Sequence, residues 1–305
     1  MKILNNFDDV SKNPKVVTIG NFDGVHKGHQ ALINKTKDIS IENNIESLIF
    51  TFEKFPKEIF SPDTLQRLYD NRTKESVISS YEVDTLLSID FNEIKDYKAN
   101  YFCEEILIKK LNAQYLIIGE NFKFGKDRSG DIEELRKYNK EDAFEVIIPR
   151  FETYDGIRIS SSRIRKLLNQ GNINEAQECL GRDYMLSGTV VPGEKLGRKL
   201  GYPTANIKLE HNYPLDGVYL TRTVIDKKNY MSLASIGNKP TFNGSEKILE
   251  VFILNFHDDI YAKNVEVYFL EEIRKQIKFN NEDELIKQMN EDHNYAIINS
   301  KKYGI

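Results

Sequence analysis

Apolar and polar positions follow a regular pattern along the first half of the chain. Short runs rich in β-branched and aromatic residues predict buried strands; they lie at 15–20, 47–52, 85–89, 115–119 and 144–148. Between these runs, apolar residues recur at helical spacing, as in NYFCEEILIKKL. Strands that alternate with helices predict an α/β fold with a parallel sheet and right-handed crossovers. The segments SSSRIRKLLNQ and INEAQECLG predict two consecutive helices that close this half.

A different pattern begins near Tyr184. Strand-like runs then follow one another without intervening helices, in the order LSGTVV, GVYLTRTVI, YMSLASI, ILEVFILNF and VEVYFL. Such an order predicts an all-β unit, either a small antiparallel barrel or a sandwich. The charged amphipathic segment at 281–300 predicts a terminal helix packed against that unit. We place the boundary near Arg182, which gives domains 1–182 and 183–305.

Composition limits the possible functions. The 305 residues are 40% hydrophobic and 30% charged, with a net charge of -4, so we expect a globular protein without nucleic acid or a membrane as a partner. The two cysteines, Cys103 and Cys179, fit a reducing compartment and support neither a disulfide framework nor a cysteine-rich zinc site. Because the N-terminus lacks the apolar core of a signal peptide, we expect a cytoplasmic protein.

The first candidate site is the segment NFDGVHKGH, which follows the first predicted strand. Gly20 ends that strand, so His26 and His29 fall on one face of the first turn of the next helix. Gly24 and Gly28 allow the backbone to approach a ligand closely. Two ring donors beside the free amides of a helix N-terminus favour binding of a polyphosphate.

Two other interpretations of this segment are open. Asp23 and Gly24 could form an ordinary tight turn with no ligand. His26, His29 and Asp23 could instead hold a metal ion, although the sequence offers no evident fourth ligand. Phosphate binding remains the favoured interpretation.

The second candidate site is the segment VVPGEKLGRKLGYPTANIKL at 190–209. Its glycines recur every four residues and alternate with cations; they are Gly193, Gly197 and Gly201, with Lys195, Arg198 and Lys199. This pattern favours a loop that wraps an anionic ligand, although it does not fit the P-loop spacing. A flexible basic surface loop is the alternative.

The same segment continues into PTAN, where Pro203 stiffens the chain. Thr204 and Asn206 stand two residues apart on an extended segment, so their side chains point the same way. A hydroxyl and an amide oxygen are hard, neutral ligands that hold Mg²⁺ weakly unless nucleotide phosphates complete the coordination. The sequence therefore predicts a Mg²⁺–nucleotide site here.

The segment GNFDGVHKGH resembles the H-x-G-H signature of the nucleotidylyltransferase superfamily, in the form found in bacterial bifunctional riboflavin kinase/FAD synthetases. Two more segments are similar to that family, IGENFKFGKDRSGD as a second nucleotide-site loop and ISSSRIR as a basic motif before a helix. The resemblance implies a Rossmann-like domain in which His26 and His29 clamp phosphate. It also implies a set of nucleotide-binding residues, namely Gly20, Phe22, Asp23, Gly24, Asn121, Ser162 and Arg165.

The second half resembles the riboflavin kinases of the same family through LGYPTAN, with Tyr202 where phenylalanine is common. That resemblance implies that Glu250 is the catalytic base, that Thr204 and Asn206 bind the metal and that Arg274 binds flavin. It implies a nucleotide loop made by Gly193, Lys195, Gly197, Gly201 and Pro203. Strand alternation supports the role of Glu250, because it leaves the carboxylate on the face opposite Leu249 and Val251.

Together the likenesses imply two reactions. The C-terminal half would phosphorylate riboflavin to FMN with ATP and Mg²⁺, releasing ADP, and the N-terminal half would transfer AMP from ATP to FMN, giving FAD and pyrophosphate. We expect a monomer or a weak homo-oligomer. Two residues depart from the family pattern: Phe55 stands where histidine commonly precedes proline, and Ser162 stands where threonine is usual.

Two alternative functions remain open on the sequence alone. The chain could be a riboflavin kinase whose N-terminal half is a weak or non-catalytic flavin- or nucleotide-binding module, an interpretation that depends on Phe55. It could also be a flavin-sensing regulatory protein. The lack of a basic stripe or a helix-turn-helix pattern disfavours control through nucleic acid.

Overall fold

The chain forms two compact units in a computed structural model. The structure describes residues 1–61, 65–140, 143–150, 152–193, 197, 200–241 and 244–303. The first unit comprises Met1–Leu65 and Asn71–Ser160, and the second comprises Gln66–Asp70 and Ser161–Ile305.

A parallel sheet of six strands forms the centre of the first unit. The strands are β1 (Lys2–Leu4), β2 (Lys15–Ile19), β3 (Glu46–Phe52), β4 (Thr85–Ile89), β5 (Ala113–Ile117) and β6 (Glu145–Ile147). Their spatial order is β1-β4-β3-β2-β5-β6, and every pair is parallel. The chain therefore runs from β2 to β3 on one side and returns with β5 on the other side, so the sheet reverses its direction of growth at β2.

Helices and short turns connect these strands. The helices are α1 (Lys27–Asn43), α2 (Pro56–Phe60), α3 (Asn71–Ser79), α4 (Ala99–Tyr101), which continues as a π-helix over Phe102–Lys110, and α5 (Ile132–Lys140). A two-stranded hairpin follows, formed by β7 (Thr153–Tyr154) and β8 (Ile157–Arg158). The five predicted strands are confirmed, each within two residues at either end. Neither β1 nor the hairpin was predicted.

The second unit begins with two helices and continues into a closed antiparallel barrel. The helices are α6 (Ser161–Asn169) and α7 (Ile173–Leu180). The barrel strands are β9 (Met185–Val191), β10 (Thr204–Ile207), β11 (Gly217–Ile225), β12 (Lys228–Thr241), β13 (Gly244–Ile253) and β14 (Asn264–Arg274), in the order β10-β13-β12-β11-β14-β9. The terminal helix α8 (Glu282–Ser300) follows, as predicted. None of the helices in the described part of the chain is both long enough and apolar enough to span a bilayer.

The helices α6 and α7 pack with the barrel. The Gln177 side-chain amide donates to the carbonyl of Phe269 on β14 at 2.8 Å, and the Lys275 ammonium donates to the carbonyl of Asn169 at 3.3 Å. The two helices that were expected to close the N-terminal half thus belong to the second compact unit. The functional division at Arg182 stays a prediction.

Candidate active sites

The loop from β2 to α1 holds a backbone conformation that is unusual for its residue types. Phe22, Gly24 and Val25 have φ values of 49°, 79° and 41°, in the left-handed region. For the phenylalanine and the β-branched valine this costs about 1–3 kcal/mol each. Hydrogen bonds hold the loop: the Val25 amide donates to the Phe22 carbonyl at 3.0 Å, and the Gln30 side chain donates to the Val25 carbonyl at 2.8 Å.

The histidine pair lies where this loop enters α1. His26 is the N-cap residue, and its Nδ1 accepts the backbone N–H of His29 at 3.4 Å. The two rings stack, with centroids 3.7 Å apart and planes 16° apart. The His29 amide also donates to the His26 carbonyl at 2.7 Å, and in a neutral imidazole an accepting Nδ1 leaves the ring proton on Nε2.

The surroundings of the pair favour an anion. The N-terminus of a helix presents unsatisfied amides and the positive end of the helix dipole. Gly28 explains the glycine of the H-x-G-H segment, since a Cβ there would approach the ring of His26 at 3.3 Å. The predicted nucleotide residues Gly20, Phe22, Asp23 and Gly24 all lie in this loop, where Phe22 and Asp23 are buried.

The alternative of a metal site at the histidines has no counterpart in the structure. Among the residues that the structure describes, no group of three or more His, Cys, Asp or Glu side chains could hold a metal ion. Phosphate binding stays the prediction for this loop, since backbone amides and a histidine Nε2–H are ordinary donors to phosphate.

The loop that carries Asn121 leaves the neighbouring strand. Because β5 pairs with β2 in parallel, both loops emerge at the same edge of the sheet. The Phe122 amide donates to the Gly119 carbonyl at 3.0 Å, which turns the chain just after the strand and leaves Asn121 exposed. This is the edge, at the point where the strand order reverses, at which open α/β sheets bind ligands.

Ser162 and Arg165 lie on the first turns of α6, in the second compact unit. The Nε of Arg165 donates to the carbonyl of Gln66 at 2.5 Å. Their association with the histidine pair stays a prediction.

Phe55 is buried in the first unit rather than exposed at its rim. Its side chain is 2% exposed and belongs to the apolar core, and the ammonium of Lys74 lies 5.0 Å from the ring centroid. The aromatic ring that stands where histidine is usual is therefore a core residue of this chain.

In the barrel, strand register places the predicted kinase residues side by side on neighbouring strands. Asn206 on β10 lies opposite Glu250 on β13, and Glu250 lies opposite Ser235 on β12. The same row of opposed residues continues through Val218 on β11 to Arg274 on β14. Directly opposed residues share a face of the sheet, and all five line one cavity of about 270 Å³.

The glycine loop lies directly against the predicted Mg²⁺ ligands. A Cβ on Gly193 would overlap the side-chain amide of Asn206, and one on Gly197 would overlap the Tyr202 carbonyl and approach Thr204 Oγ1 at 3.3 Å. Thr204 lines the same cavity, on the same face as Asn206. A hydroxyl and an amide oxygen under a closely fitted loop suit Mg²⁺ that also binds phosphate.

The remaining loop predictions have different outcomes. Gly201 has a φ of 86°, a conformation that favours glycine, and Pro203 is exposed just before β10. Lys195 lies outside the described residues, as do Arg198 and Lys199.

Tyr202 joins the end of the glycine loop to α8. Its hydroxyl donates to Asn290 Oδ1 at 2.5 Å, and its ring packs edge-on against Phe252 with centroids 5.2 Å apart. Burial raises the pKa of the Tyr202 hydroxyl, so it remains a neutral donor. The phenylalanine that is common at this position has no group for this hydrogen bond.

Arg274, predicted to bind flavin, also anchors α8. Its Nη2 lies 2.8 Å from Oδ2 of Asp292, and its Nε lies 3.1 Å from both carboxylate oxygens. Asp292 is 5% exposed and accepts a further bond from Gln288 at 3.0 Å. The guanidinium is therefore neutralised at the edge of the cavity, and it fixes the helix that forms one wall.

Several residues of the cavity were not predicted. The polar ones are Ser235, Gln276 and Asp292, and the apolar ones include Leu233, Phe252, Phe279, Leu285 and Met289. Ser235 could have been found from the period-two alternation of its strand, had the register with Glu250 been known. The residues on α8 carry no local signal, because their role depends on how the helix docks.

Two family models match the chain, one in each half. The family model described as FAD synthetase matches residues 8–163, and the one described as riboflavin kinase matches residues 180–298. Among solved structures, one described as a macrolide-efflux protein from Streptococcus pneumoniae is similar, with a TM-score of 0.83 and 33% identity over 96% of this chain and 97% of that chain.

Curated relatives match along nearly the whole length. A bifunctional riboflavin kinase/FMN adenylyltransferase from Buchnera aphidicola subsp. Schizaphis graminum is 38% identical over 301 residues, which cover 96% of each chain. The protein of the same description from Escherichia coli (strain K12) is 34% identical over 299 residues, again 96% of each chain. As the resemblance of its motifs predicted, the chain belongs to the bifunctional riboflavin kinase/FMN adenylyltransferase family.

Proposed function

We propose that the two candidate sites carry the two activities of the family. The barrel cavity transfers the γ-phosphate of ATP to the ribityl 5′-hydroxyl of riboflavin, giving FMN and ADP. The loop between β2 and α1 transfers AMP from ATP to FMN, giving FAD and pyrophosphate. The observation that carries the proposal is the register of the barrel, which sets Glu250 between Asn206 and Ser235 on one face.

In the kinase step, Glu250 acts as the general base. An alcohol is a weak nucleophile, so a positioned carboxylate that accepts its proton lowers the barrier. Asn206 lies directly across from Glu250, and paired Cβ atoms in such positions are about 5 Å apart. Thr204 and Asn206 would hold Mg²⁺, which neutralises charge on the triphosphate when it is bound. The attacking hydroxyl and the phosphate are thereby brought together.

The flavin fits the apolar part of the same cavity. Phe279, Leu285 and Met289 form an apolar wall, and Arg274 fixes the helix that carries the last two of them. Such a wall buries a large planar ring favourably, whereas the polar ribityl chain extends toward Glu250 and Ser235. Gln276, whose amide donates to Ser235 Oγ at 3.1 Å, orders this polar end.

In the adenylyl transfer step, the nucleophile is a phosphate whose second pKa is about 6, so it needs no general base. The site must instead stabilise charge on the α-phosphate and on the departing pyrophosphate. His26 and His29 supply ring donors, and the first turn of α1 supplies backbone amides. The histidines are therefore phosphate clamps rather than metal ligands.

The finer predictions about context are part of the same proposal. Mg²⁺ assists the kinase step, as the neutral ligand pair Thr204 and Asn206 favours. The protein acts in the cytoplasm, which its low cysteine content supports, as a monomer or weak homo-oligomer.

A pair of variants, each assayed for both reactions, tests the assignment. His29→Ala should lose FAD formation by about 100-fold or more while it still converts riboflavin to FMN, because one phosphate donor is lost. Glu250→Gln should show the opposite pattern, with no FMN from riboflavin but normal FAD from added FMN. Products are separated by chromatography after incubation with ATP and Mg²⁺.

The two variants serve as controls for each other. Loss of both reactions in either folded variant would contradict two separate sites. If the unmodified protein makes no FAD from FMN and ATP, the alternative of a riboflavin kinase with a non-catalytic N-terminal module replaces the proposal.

A further inference from the structure

A buried lysine and a buried threonine lie behind the loop that carries the histidines. Lys74 on α3 is 1% exposed and Thr51 on β3 is fully buried. The Lys74 ammonium donates to the Phe52 carbonyl at 2.7 Å and to Thr51 Oγ1 at 3.3 Å. Thr51 Oγ1 in turn lies 3.2 Å from the carbonyl oxygen of Asn21, in the loop between β2 and α1.

The chemistry of the groups fixes the direction of these bonds. A lysine ammonium has only donors, so the threonine hydroxyl must accept from Lys74. Its single proton is then available for the carbonyl of Asn21, which can only accept. The chain of hydrogen bonds therefore runs from Lys74 through Thr51 to Asn21, and in this buried position each bond polarises the next.

The carbonyl at the end of this chain belongs to the strained part of the loop. Asn21 directly precedes Phe22, whose φ is 49°. The ring of Phe22 packs edge-on against His29, with ring centroids 5.2 Å apart. Because the peptide unit is planar and trans, holding the Asn21 carbonyl toward β3 turns the Phe22 amide away from that strand. The orientation of that peptide is thus fixed from the side of the sheet.

We propose that Thr51 and Lys74 are positioning residues for adenylyl transfer. They hold the Asn21 peptide, and with it the strained loop, in the conformation that aligns Phe22, His26 and His29 for phosphate. The proposal rests on the assignment of adenylyl transfer to this loop. Neither side chain is expected to touch the nucleotide, since both are buried behind the backbone.

Thr51→Val removes the hydroxyl and keeps the side-chain shape, so it interrupts the series of hydrogen bonds from Lys74 to Asn21 at its middle. We expect kcat for FAD formation from FMN to fall by about tenfold to 100-fold, with a much smaller change in KM for ATP, because misalignment costs most in the transition state. Thr51→Ser restores the hydroxyl and should recover most of kcat. Lys74→Met should lower kcat by less in the Thr51→Val background than in the unmodified protein, because both changes break the same chain of hydrogen bonds.

Thr18→Val is the matched control. Thr18 is also a fully buried threonine on the neighbouring strand β2, and its hydroxyl has no hydrogen-bond partner among the described residues. Its kcat should stay within about twofold of the unmodified protein, because no bond is lost. Riboflavin phosphorylation should be unchanged in every variant, which normalises the amount of active protein.

The outcomes separate this inference from the function it rests on. If Thr51→Val matches Thr18→Val, or if Thr51→Ser fails to restore kcat, the positioning role is wrong, even where His29→Ala has lost FAD formation. If His29→Ala keeps FAD formation, the site assignment and the positioning role are both wrong.

Discussion

At the scale of single residues, Gly193 shows how a missing side chain makes a site. The glycine loop reaches the face of Thr204 and Asn206 so closely that a Cβ on Gly193 would overlap the amide of Asn206. The recurrence of glycine every four residues predicted a wrapped ligand but not this contact. Neither the pattern of the loop nor that of the strand shows that the two are in contact. Their contact is a property of the fold.

Gly193→Ala should therefore displace either the loop or the Asn206 side chain. We expect riboflavin phosphorylation to fall by at least about tenfold in kcat/KM, since the displaced amide is a Mg²⁺ ligand in the proposed site. FAD formation from added FMN should not change. Steady-state kinetics of both reactions checks this.

Gly201→Ala is the control for backbone strain. Gly201 has a φ of 86°, yet a Cβ there would meet open space. The added methyl group should raise the conformational energy of the loop by about 1–2 kcal/mol without overlapping the Asn206 side chain. An equal loss of kinase activity in the two variants would show that overlap with Asn206 is not the cause.

At the scale of elements, local patterns predicted which segments form strands but not which strands pair with each other. Mostly buried strands such as β2 and β11, and alternating ones such as β14, have strong local signals and were predicted. The three-residue strand β1 is too short to show a period, and β10 was expected only as an extended segment. Glu250 and Asn206 were both predicted from the sequence, whereas their position opposite each other and beside Ser235 follows from pairing between distant strands.

The terminal helix shows the same limit in its docking. Its existence follows from amphipathic spacing, but its attachment involves the ion pair between the partly exposed Arg274 and the buried Asp292, which come from two separate elements. Nothing in either local pattern marks these residues as partners. The wall of the cavity could therefore not be predicted from the sequence.

Asp292→Ala should loosen α8 and open the flavin side of the cavity. The variant leaves a partly exposed guanidinium without its carboxylate, a change that should cost less than the roughly 3–5 kcal/mol typical of fully buried pairs. We expect a lower free energy of unfolding and a raised KM for riboflavin, with FAD formation from added FMN retained. Denaturant unfolding and riboflavin kinetics measure the two effects.

Tyr295→Phe is the matched control on the same helix. It removes a hydroxyl that donates to Glu271 at 2.7 Å in an exposed position, where the loss is within about 0.5 kcal/mol. If Asp292→Ala behaves like Tyr295→Phe, the ion pair does not anchor the helix.

At the scale of the whole molecule, the compact units do not follow the order of the chain. The segment Gln66–Asp70 belongs with the barrel although the residues on both sides of it belong with the parallel sheet. Within the second unit, the Tyr184 hydroxyl donates to the carbonyl of Leu68 at 3.1 Å, and the rings of Tyr69 and Tyr184 stack with centroids 5.8 Å apart. A change of pattern near Tyr184 marked where strands begin, which is a different property from where a compact unit begins.

This distinction can be tested with two fragments of the second unit. The fragment 161–305 keeps α6 and α7, whereas 183–305 follows the boundary predicted from the sequence. The two helices contribute buried apolar side chains, Ile164, Leu167, Leu168, Ile173, Ala176 and Leu180. Gly171, between the helices, lies so close to β14 that a Cβ there would overlap the carboxylate of Glu272. Removal of both helices therefore uncovers part of the barrel and breaks the bond from Gln177 to Phe269.

We expect 161–305 to melt at least about 5 °C above 183–305, because each kcal/mol of lost stability moves the midpoint of a domain of this size by several degrees. Both fragments lack Gln66–Asp70 and contain the whole cavity, so their KM values for riboflavin at a temperature where both are folded should agree. Thermal unfolding and kinase assays on the two fragments measure these quantities. Equal melting temperatures would place the energetic boundary at Arg182, where the change of pattern lies, because α6 and α7 would then contribute nothing to the stability of the barrel.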